Sequence, residues 1–129
     1  MHNNYRYINP LDFVFLSSES VNSYAKQVVE LDDIVKRMMF ESYGVERKKL
    51  ESLQESTEYV LRGYKYRIPE AGESNLGVPP HSDTALLTIL NQKVEGLGVK
   101  LKDGEWFEVG VSPSLYLVMA GDALMVSNF

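Results

Sequence analysis

The sequence predicts an α+β fold in which helices come first and a sandwich or jelly roll of short strands follows. Three observations carry this expectation. Apolar residues recur at helical spacing over residues 20–43, strand-length apolar runs fill the second half, and turn-forming residues separate those runs. A length of 129 residues, 44% of them hydrophobic and 24% charged, is ordinary for one globular domain.

Residues 1–19 carry aromatics without periodicity and are interrupted by Pro10, so they are set apart as an N-terminal stub. The domain is expected over 20–129, with helices in 20–55 and strands in 58–129. In the first helix Val21, Tyr24, Val28, Leu31, Val35 and Met38 are spaced by alternating steps of three and four, the stripe of an amphipathic helix. Ser20 is the expected N-cap, Asp32 and Asp33 are expected on the polar side, and Gly44 suits a left-handed C-terminal cap. Met38 and Met39 read as core packing rather than as a soft binding surface. A shorter helix is expected over 46–54, where Arg47-Lys48-Lys49 reads as a solvated face.

Strand chemistry begins after Ser56. Tyr59-Val60-Leu61 and Tyr64-Lys65-Tyr66 are β-prone, and residues 69–75 read as a loop. Strands are then expected over 85–90, 97–101, 106–109, 115–120 and 123–127. Glu95-Gly96, Asp103-Gly104, Ser112-Pro113-Ser114 and Gly121-Asp122 separate them. Asp103-Gly104 is the strongest hairpin signal. The final run, Ala123 to Phe129, reads as a strand in progress with an unpaired edge.

Composition removes several function classes. A net charge of −5 with scattered basic residues argues against nucleic acid as a partner. The chain has no cysteine, which excludes disulfides, thiolate zinc sites and cysteine nucleophiles. No stretch has the apolar length of a membrane span, and the first residues do not resemble a signal peptide. A soluble, cytoplasmic protein with a small-molecule substrate is the expectation; the sequence leaves its oligomeric state open.

The chain has two histidines, His2 and His81. His81 lies in Pro79-Pro80-His81-Ser82-Asp83. In an extended segment residues i and i+2 project to one face, so the imidazole of His81 and the carboxylate of Asp83 converge. Such a pair suits Fe(II), which is held by two histidines and one carboxylate on one face, with other positions open. The spacing alone is a weak signal, and by itself it favours a surface histidine beside a turn aspartate.

Context decides between these. Over about fifty residues the chain resembles the soluble plant 2-oxoglutarate/Fe(II) dioxygenases. The matching features come in order: His81-Ser82-Asp83, Leu87-Thr88-Ile89-Leu90, Gly96-Leu97, Gly104 and Trp106, Pro113, then Gly121-Asp122 before Asn128. Upstream, Leu61-Arg62-Gly63-Tyr64-Lys65-Tyr66 and the 25–46 helix also resemble family segments. The flavour is that of the branch that includes dioxygenases modifying glucosinolate side chains. The resemblance implies a long helix followed by a double-stranded β-helix (jelly roll), incomplete here. It implies His81 and Asp83 as iron ligands and Tyr66 as a contact to 2-oxoglutarate, against Tyr66 as a plain strand aromatic. It also implies Fe(II), 2-oxoglutarate and, as reductant, ascorbate. The reaction would oxidise a small organic, specialised metabolite with O₂ and release succinate and CO₂.

The resemblance has limits. The family's second histidine ligand falls downstream of the asparagine matching Asn128, and the arginine that grips 2-oxoglutarate falls further on. Phe129 stands where glycine or alanine is usual, and all five arginines (Arg6, Arg37, Arg47, Arg62, Arg67) precede the His-x-Asp motif. A chain truncated at both ends is therefore expected, releasing no succinate above a His81→Ala control. Two other classes remain open: a non-catalytic interaction module, and a jelly-roll binder of a small ligand or sugar.

Overall fold

A computed structural model describes residues 9–10 and 19–126. The elements in chain order are β1 (Asn9–Pro10), α1 (Glu19–Ser42), α2 (Arg47–Ser56), β2 (Tyr64–Lys65), β3 (Leu87–Leu90), β4 (Gly98–Lys100), β5 (Trp106–Glu108), β6 (Leu117–Ala120) and α3 (Asp122–Val126). Between the short β1 and the closing α3, the two longer helices precede the strands, so the α+β expectation holds at that level. The chain divides into two compact units, one running through His81 and the other beginning at Ser82.

In the first unit α1 packs against α2, and the two buried apolar side chains among the described residues, Phe40 and Leu50, belong to this pair. The apolar stripe holds through Val28, Leu31 and Val35, which are half-buried. It fails at Tyr24 and at Met38, both exposed; the core packing expected of Met38, 66% exposed, is overturned, and Phe40 takes the inward place. Ser20 does not cap α1; it lies within the first turn of a helix that begins at Glu19. Gly44 does close the helix. Its φ of 68° lies in the left-handed region, its N–H bonds the Glu41 carbonyl at 3.1 Å, and the Val45 N–H bonds the Phe40 carbonyl at 3.0 Å. Those two bonds form a Schellman motif and satisfy carbonyls that the helix leaves open.

Asp32 departs most from expectation, being buried rather than solvated. It stands one turn before Lys36, also buried, and their side chains pair at 2.6 Å. The Tyr59 hydroxyl donates to Asp32 Oδ2 at 3.0 Å, while Lys36 Nζ lies 5.1 Å from the Tyr59 ring centroid. Gln54 Nε2 donates to Asp33 Oδ1 at 2.9 Å. These bonds tie α1 to the end of α2 and to the segment that follows. Burial of two charges is tolerable only with such pairing and hydrogen bonding. Tyr59 is thereby engaged with the helices, and Tyr59-Val60-Leu61 forms no strand. Arg47-Lys48-Lys49 is exposed, as expected, on α2.

β2 pairs antiparallel with β1, Tyr64 opposite Pro10 and Lys65 opposite Asn9. Beyond it, Arg67 grips Glu73 through two bonds of 2.7 and 2.6 Å. Gly72, at φ 88°, lets the chain turn between them.

The second unit is built from two antiparallel ribbons. β3 pairs with β6 from Leu87 opposite Ala120 to Leu90 opposite Leu117. β4 pairs with β5, Val99 opposite Phe107. The β4–β5 hairpin turns where Asp103-Gly104 predicts. The Gly104 N–H bonds the Leu101 carbonyl at 3.0 Å, Leu101 N–H bonds Glu105 O at 2.8 Å, and Gly104 has φ 93°. Asp103 Oδ1 accepts from the Glu105 N–H at 3.0 Å, so the aspartate braces its own turn. The expected strand over 123–127 is overturned: residues 122–126 form the short helix α3, with Leu124 and Met125 N–H groups bonding the Gly121 carbonyl. Alanine, leucine and methionine favour helix, and a short apolar run carries no periodicity to distinguish helix from strand. Each described strand pairs with one neighbour, giving three two-stranded ribbons. No helix among the described residues is long and apolar enough to cross a membrane.

Candidate metal centre

Tyr66 and His81 belong to the first unit and Asp83 to the second, so the His-x-Asp motif spans the boundary between them. Residues 81–84 belong to no strand, and the extended-strand premise for His81 and Asp83 gives way to an irregular segment fixed by individual bonds.

His81 Nδ1 lies 2.9 Å from the Pro79 carbonyl oxygen. A carbonyl only accepts, so in the neutral ring Nδ1 carries the proton and the lone pair is on Nε2. A metal would take that nitrogen, and a backbone carbonyl, like a carboxylate or water, is a common partner that orients a ligand imidazole through its other nitrogen.

Asp83 is half-buried. Its carbonyl accepts from the Asp122 N–H at 2.7 Å, and the Ser82 hydroxyl donates to Asp122 Oδ2 at 2.8 Å. The Gly121 N–H bonds Leu86 O at 3.0 Å. Gly121 is buried so closely that a Cβ placed there would stand 2.7 Å from the Asp83 carbonyl oxygen and nearer still to that of Ala85. Only glycine fits without moving backbone.

Tyr66 is 44% exposed, and its ring lies on Gly77. A Cβ at Gly77 would come within 2.8 Å of Tyr66 Cε1, so the glycine makes room for the ring.

The donors fit Fe(II) in kind: one imidazole and one carboxylate. In number they fall short, because the described residues contain no group of three or more His, Cys, Asp or Glu side chains placed to hold a metal ion. His2 lies outside the described residues. Sequence reading missed the Pro79 carbonyl and the Asp122 side chain. Pro79 enters the sequence reading only as part of the run around His81, and Gly121-Asp122 only as a turn and a family match.

The family profile described as "2OG-Fe(II) oxygenase superfamily" matches residues 57–129. The protein named "Probable 2-oxoglutarate-dependent dioxygenase AOP1", from Arabidopsis thaliana, is 43% identical over 112 residues, covering 83% of this chain and 37% of that protein. The protein DOWNY MILDEW RESISTANCE 6 of the same plant is 32% identical over 118 residues, 90% of this chain and 33% of that protein. Over 53 residues, 40% of this chain, the identity is 49% both to an Arabidopsis "2-oxoglutarate-dependent dioxygenase AOP2" and to a "Probable inactive 2-oxoglutarate-dependent dioxygenase AOP2", of which 12% and 13% are covered. The segment shared with those two does not by itself distinguish active from inactive. The chain spans about a third of the length of the curated relatives it matches. No solved structure matches it.

Proposed function

The chain belongs to the 2OG-Fe(II) oxygenase superfamily, and from that premise we propose that His81 and Asp83 are two ligands of an Fe(II) centre in a 2-oxoglutarate-dependent dioxygenase. The observation that carries the reading is the bond from His81 Nδ1 to the Pro79 carbonyl, which leaves Nε2 as the nitrogen with a lone pair. Asp83 adds a hard anionic oxygen donor, and together the two side chains supply an N,O set of the kind Fe(II) accepts. We assign Tyr66, seated on Gly77, to contact with 2-oxoglutarate. The β3–β6 and β4–β5 ribbons are, on this reading, parts of a double-stranded β-helix within a domain covering 20–129.

When bound, Fe(II) supplies the O₂ chemistry that couples cleavage of 2-oxoglutarate to succinate and CO₂ with oxidation of an organic substrate. This chain's own part is orientation. The Pro79 carbonyl fixes the tautomer of His81, the prolines restrict the backbone ahead of it, and the Asp122 N–H holds the carbonyl of Asp83. The substrate is a small organic, specialised metabolite, and ascorbate keeps the metal reduced.

The test is a titration of the folded chain with Mn(II), a divalent stand-in that does not oxidise during the measurement, followed by electron paramagnetic resonance. His81→Ala and Asp83→Ala are each expected to weaken binding by more than about tenfold. Parental affinity in both variants would reject the assignment.

A further inference from the structure

The Ser82–Asp122 contact has no role in holding iron directly, yet it grips the residue between the two assigned ligands. Asp122 makes two attachments to adjoining positions. Its carboxylate accepts from the Ser82 hydroxyl at 2.8 Å, and its backbone N–H bonds the Asp83 carbonyl at 2.7 Å. The β3–β6 ladder, whose last pair is Leu87 with Ala120, is continued by Gly121 N–H on Leu86 O. The buried Gly121 then lets the two backbones approach more closely than any side chain would allow. A residue forty positions along the chain is thus fastened to both sides of the Ser82–Asp83 peptide.

We propose that Ser82 and Asp122 are positioning residues that set the orientation of Asp83 for the metal, with Gly121 as the close-approach point that makes their contact attainable. This rests on the assignment of His81 and Asp83 as ligands. Two attachments restrict rotation of the Asp83 backbone more than either alone, and the side chain turns with that backbone. Outer bonds of this kind change metal affinity by about 10–100-fold when lost.

The experiment uses the full chain with Mn(II) as the only added probe. Affinity is measured by paramagnetic resonance titration, and exchange of the Asp122 amide proton by NMR. Ser82→Ala and Asp122→Ala are expected to weaken Mn(II) binding about tenfold. The conservative variants Ser82→Thr and Asp122→Asn, which keep a hydroxyl donor and an oxygen acceptor, should recover most of that loss. In Ser82→Ala the Asp122 amide should exchange faster while the thermal midpoint stays parental. Ser82 is exposed, so its variant reports even if Asp122→Ala fails to fold. Parental affinity in Ser82→Ala, with binding lost in His81→Ala, would overturn the positioning role and leave the ligand assignment standing. Asp122→Asn as weak as Asp122→Ala would overturn it too, because charge rather than a hydrogen bond would then be responsible. A parent chain that binds no Mn(II), or binds it equally after His81→Ala, would reject the ligand assignment and this role with it.

Discussion

The helical pair of the first unit and the ribbons of the second are held by different physics. All four buried side chains among the described residues, Phe40, Leu50, Asp32 and Lys36, lie on α1 and α2. Among the described residues of the second unit the buried position is Gly121, which has no side chain to bury. The helices are fixed by packing and by a buried ion pair. The ribbons are fixed by ladder bonds, turn chemistry and one close backbone approach. Side-chain deletions should therefore weigh most in the first unit, and backbone-conformation changes should be the sensitive ones in the second.

Phe40→Ala should be the most damaging. Removing a buried aromatic ring costs about 3–5 kcal/mol, and Phe40 is 3% exposed. Urea unfolding followed by helical circular dichroism measures it, and a loss below about 1 kcal/mol would mean the helix pair does not depend on this core.

Lys36→Met should follow, at about 3 kcal/mol, because it removes the charge that pairs with the buried Asp32 carboxylate and leaves the Tyr59 hydroxyl bonded to it. The double variant Asp32→Leu/Lys36→Met should recover much of that loss. If the double variant is no better than the single, the pair is not acting as an isolated charge pair.

Tyr59 sharpens the same point through pH. Partial burial, then the hydrogen bond to Asp32 and the charges of Asp32 and Asp33, raise its hydroxyl pKa well above the ordinary value. An unfolded tyrosine loses its proton near about pH 10. Above that pH the unfolded chain binds fewer protons than the folded one, so stability falls as pH rises and is unaffected below it. In Tyr59→Phe that share of the alkaline decline should vanish; an identical decline in the variant would contradict the network.

In the second unit Gly104→Ala should cost about 1 kcal/mol, since alanine is strained at φ 93°. The loss should appear as faster amide exchange across β4 and β5. Smallest of all, Arg47→Ala removes an exposed pair with Glu51 and should change stability by less than about 0.5 kcal/mol.

The sequence made α1 legible because a 3.6-residue stripe is a local signal, and Gly44 and Asp103-Gly104 were legible because turns have strict residue requirements. What it hid is long-range. The bonds of Tyr59 to Asp32 and of Gln54 to Asp33 join residues 27 and 21 positions apart, and nothing local marks Asp32 as buried. α3 was hidden for the opposite reason: five residues are too few to show a period. At the candidate centre, His81, Asp83 and Tyr66 come as proposals from motif order and family resemblance. The contact between the Pro79 carbonyl and His81 was out of reach, because a backbone atom leaves no trace in residue type. The Ser82–Asp122 bond, forty residues long in sequence, was equally out of reach.

The central claim is that His81 and Asp83 hold one divalent ion. The most direct measurement is residue-resolved NMR of the ¹⁵N-labelled chain with substoichiometric Mn(II), whose unpaired electrons broaden nearby amide signals. The account predicts broadening centred on residues 81–83, extending to Asp122, and abolished in His81→Ala. Broadening centred instead on acidic residues of the helices, or unchanged in His81→Ala, would contradict it.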